Sequence, residues 1–286
     1  MIPSLSDLLI EQVVRLALAE DLGRTGDVTA RACIPEGSRL RAAFAARKPG
    51  VLAGLDCVRL AVHALDPAAT VAPRLRDGQA FEAGATLVEV EADARALLAA
   101  ERTALNLLGR LCGVATLTRA YVDAVAGTGA RIADTRKTTP GLRALEKHAV
   151  LCGGGLNHRF GLDDAILIKD NHVAVCGGVG EAVRRARAAA GHLIKVEVEV
   201  DGLEQFDEAV AERPDVIMLD NFTLPMLSEA VGRVKDRPGR PVLEASGGVN
   251  LDTVGSIAGT GVDVISVGAL THSAPSLDIG LDALPA

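Results

Sequence analysis

Tryptophan is absent from the 286 residues, tyrosine occurs once and phenylalanine five times. A chain so poor in aromatic platforms, with a net charge of −7 and no overall basic field, is not expected to take nucleic acid as a partner. No apolar run reaches the roughly 18 residues of a membrane span, so no membrane partner is expected either. The opening Met1-Ile2-Pro3-Ser4-Leu5-Ser6-Asp7 has no basic segment ahead of an apolar stretch, which argues against secretion. The five cysteines, Cys33, Cys57, Cys112, Cys152 and Cys176, are odd in number and contain no C-x-x-C pair. They read as buried, reduced thiols in a cytoplasmic protein.

What the chain does have is apolar content, 49% of residues, enough for about two domains or one large barrel with an extra layer. Six short Val/Ile/Leu runs stand out in the second half: Arg131–Asp134, Ala165–Lys169, Ile194–Glu199, Val216–Asp220, Val242–Ser246 and Val264–Gly268. Helix-forming stretches rich in Ala, Arg, Glu and Leu separate most of them, the pattern of repeated βα units around a parallel sheet. Chemistry in such folds gathers at the C-terminal strand ends. Those ends read Asp134-Thr135-Arg136-Lys137, Lys169, Glu199, Asp220, Ser246-Gly247-Gly248 and Ser266-Val267-Gly268.

Six units are too few for a regular eight-unit barrel, so the sheet is either open or an incomplete barrel. The segment Ile194–Val200 decides for the barrel. It alternates Ile194, Val196, Val198 and Val200 with Lys195, Glu197 and Glu199, as a strand with one face on helices and one on a polar lumen would.

The first half is organised differently. A helix is predicted from Ser6 or Asp7 to Asp21, with Gly23 beyond its end. Strand-like pieces Leu40–Ala46, Val51–Ala53, Thr70–Leu75 and Thr86–Glu91 follow, interrupted by a helix-like Cys57–Leu65. Ala94–Val125 is helical, with breaks expected near Gly109 and Gly113, and bridges to the second half. The expected division is a small open α+β N-terminal domain over residues 1–112, the incomplete (β/α) barrel over 113–272, and a tail, 273–286, packing on the first domain.

Several strand ends suit anionic ligands. In Asp134–Gly141, Arg136 offers a planar fork for a carboxylate and Lys137 a point charge for a phosphate, and Pro140-Gly141 opens a helix whose N-terminus favours anions. Gly153-Gly154-Gly155 leads to His158-Arg159, and it could equally be a helix C-cap plus turn. Lys169 could bind an anion or form a Schiff base. Glu199 and Asp220 end adjacent strands and could hold Mg²⁺, whereas Glu197 and Lys195 are expected to form a structural pair deeper in the barrel. The two glycine turns are candidate phosphate sites.

In order along the chain, Thr135-Arg136-Lys137-Thr138-Thr139-Pro140-Gly141, Asn157-His158-Arg159, Ile166–His172, Val196-Glu197-Val198-Glu199-Val200 and Ser246-Gly247-Gly248 resemble the quinolinate phosphoribosyltransferases, also called carboxylating nicotinate-nucleotide pyrophosphorylases. Glu20–Gly23 and Gly26–Thr29 are similar to the family's N-terminal signature. The resemblance implies phosphoribosyl transfer to quinolinate with decarboxylation, Mg²⁺ as cofactor, and a homodimer or assembly of dimers. It implies that Arg102 reaches the partner's site, that Arg136, His158 and Arg159 meet quinolinate, and that Lys137 and Lys169 meet anionic groups. Glu199 and Asp220 would serve the metal and the reaction centre, and Thr135, Ser246, Gly247, Gly248, Ser266, Val267 and Gly268 would complete the substrate site. Two alternatives are a molybdenum-transport relative, which departs at the Lys-Asp-Asn-His segment kept here, and a Schiff-base aldolase using Lys169, which leaves the arginines without a role. A non-catalytic binding protein has no need for the paired carboxylates.

Overall fold

The computed structural model describes residues 2–285. The chain divides into two compact units, one comprising residues up to Arg119, Thr138–Gly154 and Leu270 onward, the other Ala120–Lys137 and Gly155–Ala269.

The chain opens with α1 (Asp7–Leu22), where Ile10, Val14 and Leu18, four residues apart, make the buried stripe, and Gly23 ends the helix at φ 54°. Next come α2 (Val28–Cys33), capped by the Asp27 carboxylate, then β1 (Arg39–Ala46) and β2 (Gly50–Val51). Helix α3 (Leu55–Leu65) starts where the Asp77 carboxylate accepts the N–H groups of Gly54 and Leu55. Strands β3 (Thr70–Pro73), β4 (Ala80–Phe81) and β5 (Thr86–Asp93) follow. The expected strand at Val51–Ala53 is only the two-residue β2, which pairs antiparallel with β4, a strand the sequence did not announce.

Helix α4 runs unbroken from Ala94 to Ala124, so the expected breaks at Gly109 and Gly113 do not occur. Both glycines serve close packing instead. A Cβ at Gly109 would lie 2.8 Å from the Leu277 carbonyl oxygen and one at Gly113 only 1.9 Å from that of Pro275. The unit boundary after Arg119 falls inside this helix.

In the second half, β6 (Arg131–Ala133) is followed by α5 (Arg143–Gly153), β7 (Ile166–Ile168), α6 (Asp170–Cys176), α7 (Val179–Ala189), β8 (Val196–Val200), α8 (Leu203–Glu212), β9 (Val216–Asp220), α9 (Leu224–Val234), β10 (Val242–Ser246), α10 (Val254–Ala258) and β11 (Val264–Ser266). Helix α11 (Ala269–His272) and β12 (Ile279–Ala283) close the chain. Helix α5 groups with the first unit, where the sequence division keeps it with the barrel. There its buried Glu146 accepts hydrogen bonds from Arg110 and from the backbone and hydroxyl of Thr139, while Arg110 also donates to the carbonyls of Thr271 and Ala274. The helix N-terminus after Pro140-Gly141 thus carries an acid of the chain itself.

The first unit's main sheet is antiparallel in the order β12-β1-β5-β3. The second unit's sheet is parallel throughout, in the order β6-β11-β10-β9-β8-β7. The first strand of the repeat therefore lies beside the last, as in a barrel, and the βα repeat breaks between β6 and β7. Beyond β6 a one-residue parallel bridge joins Ala133 to Leu156. All six expected strands exist within two residues of their ends, and the incomplete α/β barrel over an antiparallel first unit is the observed fold.

Candidate active site

Strand register places the functional side chains. Glu199 lies opposite Met218, Met218 opposite Glu244, and Glu244 opposite Val264. Asp220 lies opposite Ser246, one layer nearer the C-terminal ends. Extending the β7–β8 register by one residue sets Lys169 opposite Glu199, and the two form a close ion pair. A cavity of about 660 Å³ opens at these ends. It is lined by Thr135, Arg136, Lys137, His158, Arg159, Lys169, Glu199, Asp220, Ser246, Gly247, Gly248 and Ser266, all expected, and by Leu167, Met218, Asn221 and Glu244, which were not.

Arg136 and Arg159 supply the cationic wall. Each has a buried Nε–H with no hydrogen-bond partner among the described residues. Burial first, and the neighbouring Arg136 charge second, hold the Arg159 guanidinium below its ordinary pKa. Two interacting like charges on one cavity wall suit an anionic ligand.

His158 has both ring nitrogens engaged. Its Nδ1 accepts the Arg159 backbone N–H at 2.8 Å, so the proton sits on Nε2, 2.9 Å from Glu197 Oε2. That pattern fixes a neutral imidazole and leaves Nε2 no lone pair for a metal. The His158 backbone N–H donates to the fully buried Asp134. Glu197 therefore pairs with His158, not with Lys195, and the expected Glu197–Lys195 pair is corrected. Lys195 lies exposed and binds Asp215 at 2.6 Å.

Lys169 caps α6, the helix begun by Asp170-Asn171-His172, and its backbone N–H donates to His172 Nδ1. An amine held as the ammonium partner of Glu199 is poorly placed to form a Schiff base. After β10, Gly247 and Gly248 have φ of 94° and 62°. A Cβ at Gly247 would fall 2.2 Å from Asn221 Oδ1, and Asn221 in turn donates from Nδ2 to Asp220. This turn requires glycine. The second expected turn is different, for the Val267 N–H is spent on the Ala133 carbonyl. Val267 is buried, and of Ser266-Val267-Gly268 only Ser266 lines the cavity. Gly153 and Gly154 end α5, Gly154 at φ 94°, as the helix-cap reading had it.

Glu199 and Asp220 both line the cavity, displaced along their strands by two residues. Strand rise and spacing put their backbones about 8 Å apart, too far for direct side-by-side ligation without convergence of the side chains. Arg102 is exposed on α4 and lies outside this cavity's lining.

A second cluster of metal-binding atom types, Asp77, His148 and Cys152, belongs to the first unit. Its Asp77 oxygens already cap α3, and His148 Nδ1 has no acceptor of the kind a metal-bound imidazole uses. Cys57, Cys112 and Cys152 are buried as expected, and burial pushes their thiols up. Cys33, by contrast, is exposed and Cys176 half-buried.

Comparison with known proteins extends over nearly the whole chain. The family model for the quinolinate phosphoribosyl transferase N-terminal domain matches residues 27–112, and that for the C-terminal domain residues 114–282. A nicotinate-nucleotide pyrophosphorylase [carboxylating] of Mycobacterium leprae is 51% identical over 272 residues, 94% of this chain and 95% of the relative. The corresponding Bacillus subtilis protein, named as probable, is 43% identical over 97% of this chain and 94% of its own. The solved nicotinate-nucleotide pyrophosphorylase of Francisella tularensis superposes with a TM-score of 0.92 at 37% identity, covering 99% of each chain.

Proposed function

The chain belongs to the quinolinate phosphoribosyltransferase family, and from that premise we propose how its own residues perform the family's reaction. It is a carboxylating nicotinate-nucleotide pyrophosphorylase, a pentosyltransferase of NAD biosynthesis. It joins quinolinate to the phosphoribosyl group of phosphoribosyl pyrophosphate, releasing pyrophosphate and carbon dioxide and leaving nicotinate mononucleotide.

The observation that carries the site assignment is the pair Arg136 and Arg159, two guanidiniums that line one cavity and feel each other's charge. Quinolinate, with carboxylates on neighbouring ring carbons, matches that pair. The neutral His158 holds the Arg159 backbone in place through its Nδ1. Lys137 and Lys169 meet anionic groups of the substrates, and the Ser246-Gly247-Gly248 turn takes the 5′-phosphate.

Departure of pyrophosphate develops positive charge at the anomeric carbon. Glu199 and Asp220, acidic residues of the same cavity, stabilise that charge as it forms. The pyridine nitrogen then forms the bond to the sugar. Carbon dioxide leaves from the adjacent ring carbon, the pyridinium accepts the electron pair, and a proton takes its place.

The acidic residues Glu199 and Asp220 fit Mg²⁺ and would hold it directly or through its waters. When bound, the ion would neutralise the leaving group's charge. The enzyme works as a homodimer or assembly of dimers, Arg102 serving the partner's site. Its free cysteines suit a reducing cytoplasm.

Calorimetry with quinolinate tests the assignment. Arg136→Ala and Arg159→Ala should each weaken quinolinate roughly ten- to a hundredfold, the worth of a charge-assisted hydrogen bond, and weaken phosphoribosyl pyrophosphate far less. Unchanged quinolinate affinity in both variants would remove the arginines from the site.

A further inference from the structure

Beneath the cationic wall lies a pair of acids that the reaction as derived above does not use. Glu197 is 6% exposed and Glu244 4%, and one oxygen of each lies within 4.8 Å of the other's and of His158 Nε2. Two carboxylates buried this close cannot both be charged without a cation between them. The group between them is His158, and its hydrogen bonds make it neutral.

The two acids are not equivalent. Glu197 accepts the His158 Nε2–H at 2.9 Å and lies in the field of Arg159. Glu244 stands 3.7 Å from the same nitrogen, beyond hydrogen-bond reach, and its Oε1, like that of Glu197, has no hydrogen-bond partner. Its direct strand neighbours are the apolar Met218 and Val264. Asp134 adds a negative charge, Glu199 is paired with Lys169, and Asp220 takes a hydrogen bond from Asn221. On the basic side, Arg136, Lys137 and Arg159 line the cavity.

We propose that Glu244 is a positioning residue for quinolinate: kept as a neutral acid behind His158, it holds the cavity floor at a single negative charge, and its ionisation weakens binding of the dicarboxylate. The inference rests on the reading of this cavity as the quinolinate site. Burial, and then the charge of Glu197, raise the Glu244 carboxyl to about 7. The floor therefore changes charge near neutrality. Carboxylic acids such as those of quinolinate are already ionised there, so the pH dependence belongs to the protein.

The test is quinolinate binding by calorimetry between pH 6 and pH 8.5, on wild type, Glu244→Gln and Glu197→Gln. Wild-type affinity should fall about tenfold across the range. Glu244→Gln, which cannot ionise, should vary less than about twofold and bind more tightly than wild type at pH 8.5. Glu197→Gln should move the wild-type midpoint to lower pH, because the neighbouring charge that opposes ionisation is gone. A flat wild-type profile, a Glu244→Gln profile like wild type, or uniform weakening in that variant overturns the proposal and leaves the site reading intact. If Glu244→Gln does not fold, an unmoved midpoint in Glu197→Gln overturns it. Absence of wild-type quinolinate binding at every pH overturns the site reading as well.

Discussion

At the scale of single residues, charge in a confined space governs the site. Glu199→Gln and Asp220→Asn should lower the maximal rate more than they weaken quinolinate binding, because the positive charge they face exists only as pyrophosphate departs. Steady-state kinetics at saturating substrates and Mg²⁺ decide this, and wild-type rates in both variants would make the two acids structural. Glu244 also links pH to stability. Its folded pKa is raised from 4.5 to about 7, so the folded chain holds this proton more tightly than the unfolded one between those values. The contribution is fully present below about pH 4.5 and is lost as pH rises through 7. Glu244→Gln should therefore exceed wild type in stability at pH 8, by up to about 3 kcal/mol, and lose that advantage by pH 4.5 in denaturant titrations. Arg136, Lys169 and Asp220 were legible in the sequence because each follows or ends an apolar run. Glu244 was not, since an acid inside Val242–Ser246 reads equally as an outward residue, and only its register with Met218 and Val264 turns it inward. Nor does any sequence pattern give the His158 tautomer, which depends on a backbone N–H of the next residue.

Elements are held by close backbone approach as much as by apolar faces. Gly113→Ala illustrates the balance. In an isolated helix the exchange gains about 1 kcal/mol of propensity. In α4 the new methyl would sit 1.9 Å from the Pro275 carbonyl oxygen. The variant should be destabilised by about 1–3 kcal/mol, the usual cost of overpacking, in thermal or denaturant unfolding. Equal or higher stability would show that the 270–286 segment yields freely. The barrel strands could be read because most are short apolar runs and Ile194–Val200 alternates strictly. The same reading misjudged α4 because glycine as a helix breaker and glycine as a packing surface look alike until the Leu277 and Pro275 carbonyls are placed against them. Strands as short as β4, or the bridge at Leu156, carry too few residues for any alternation to register.

At the scale of the whole molecule, the question is whether sites are shared between subunits. If Arg102 acts across a dimer interface, Arg102→Ala and Lys137→Ala homodimers should both be nearly inactive, and heterodimers of the two should recover up to about half of wild-type activity, one site being intact and the other doubly damaged. A plain surface arginine predicts that Arg102→Ala costs almost nothing. An Arg102 serving its own chain predicts loss without rescue. The overall architecture and the order of the motifs could be read from the chain because they are written in consecutive βα units. Arg102 could be singled out only through family resemblance, since an exposed helix arginine carries no signal of its own. The most direct test of the central claim is to incubate the purified protein with phosphoribosyl pyrophosphate, Mg²⁺ and quinolinate labelled in the carboxylate beside the ring nitrogen. The account predicts labelled carbon dioxide, pyrophosphate and nicotinate mononucleotide in equal amounts, dependent on both substrates. Failure to form the mononucleotide from quinolinate would contradict it.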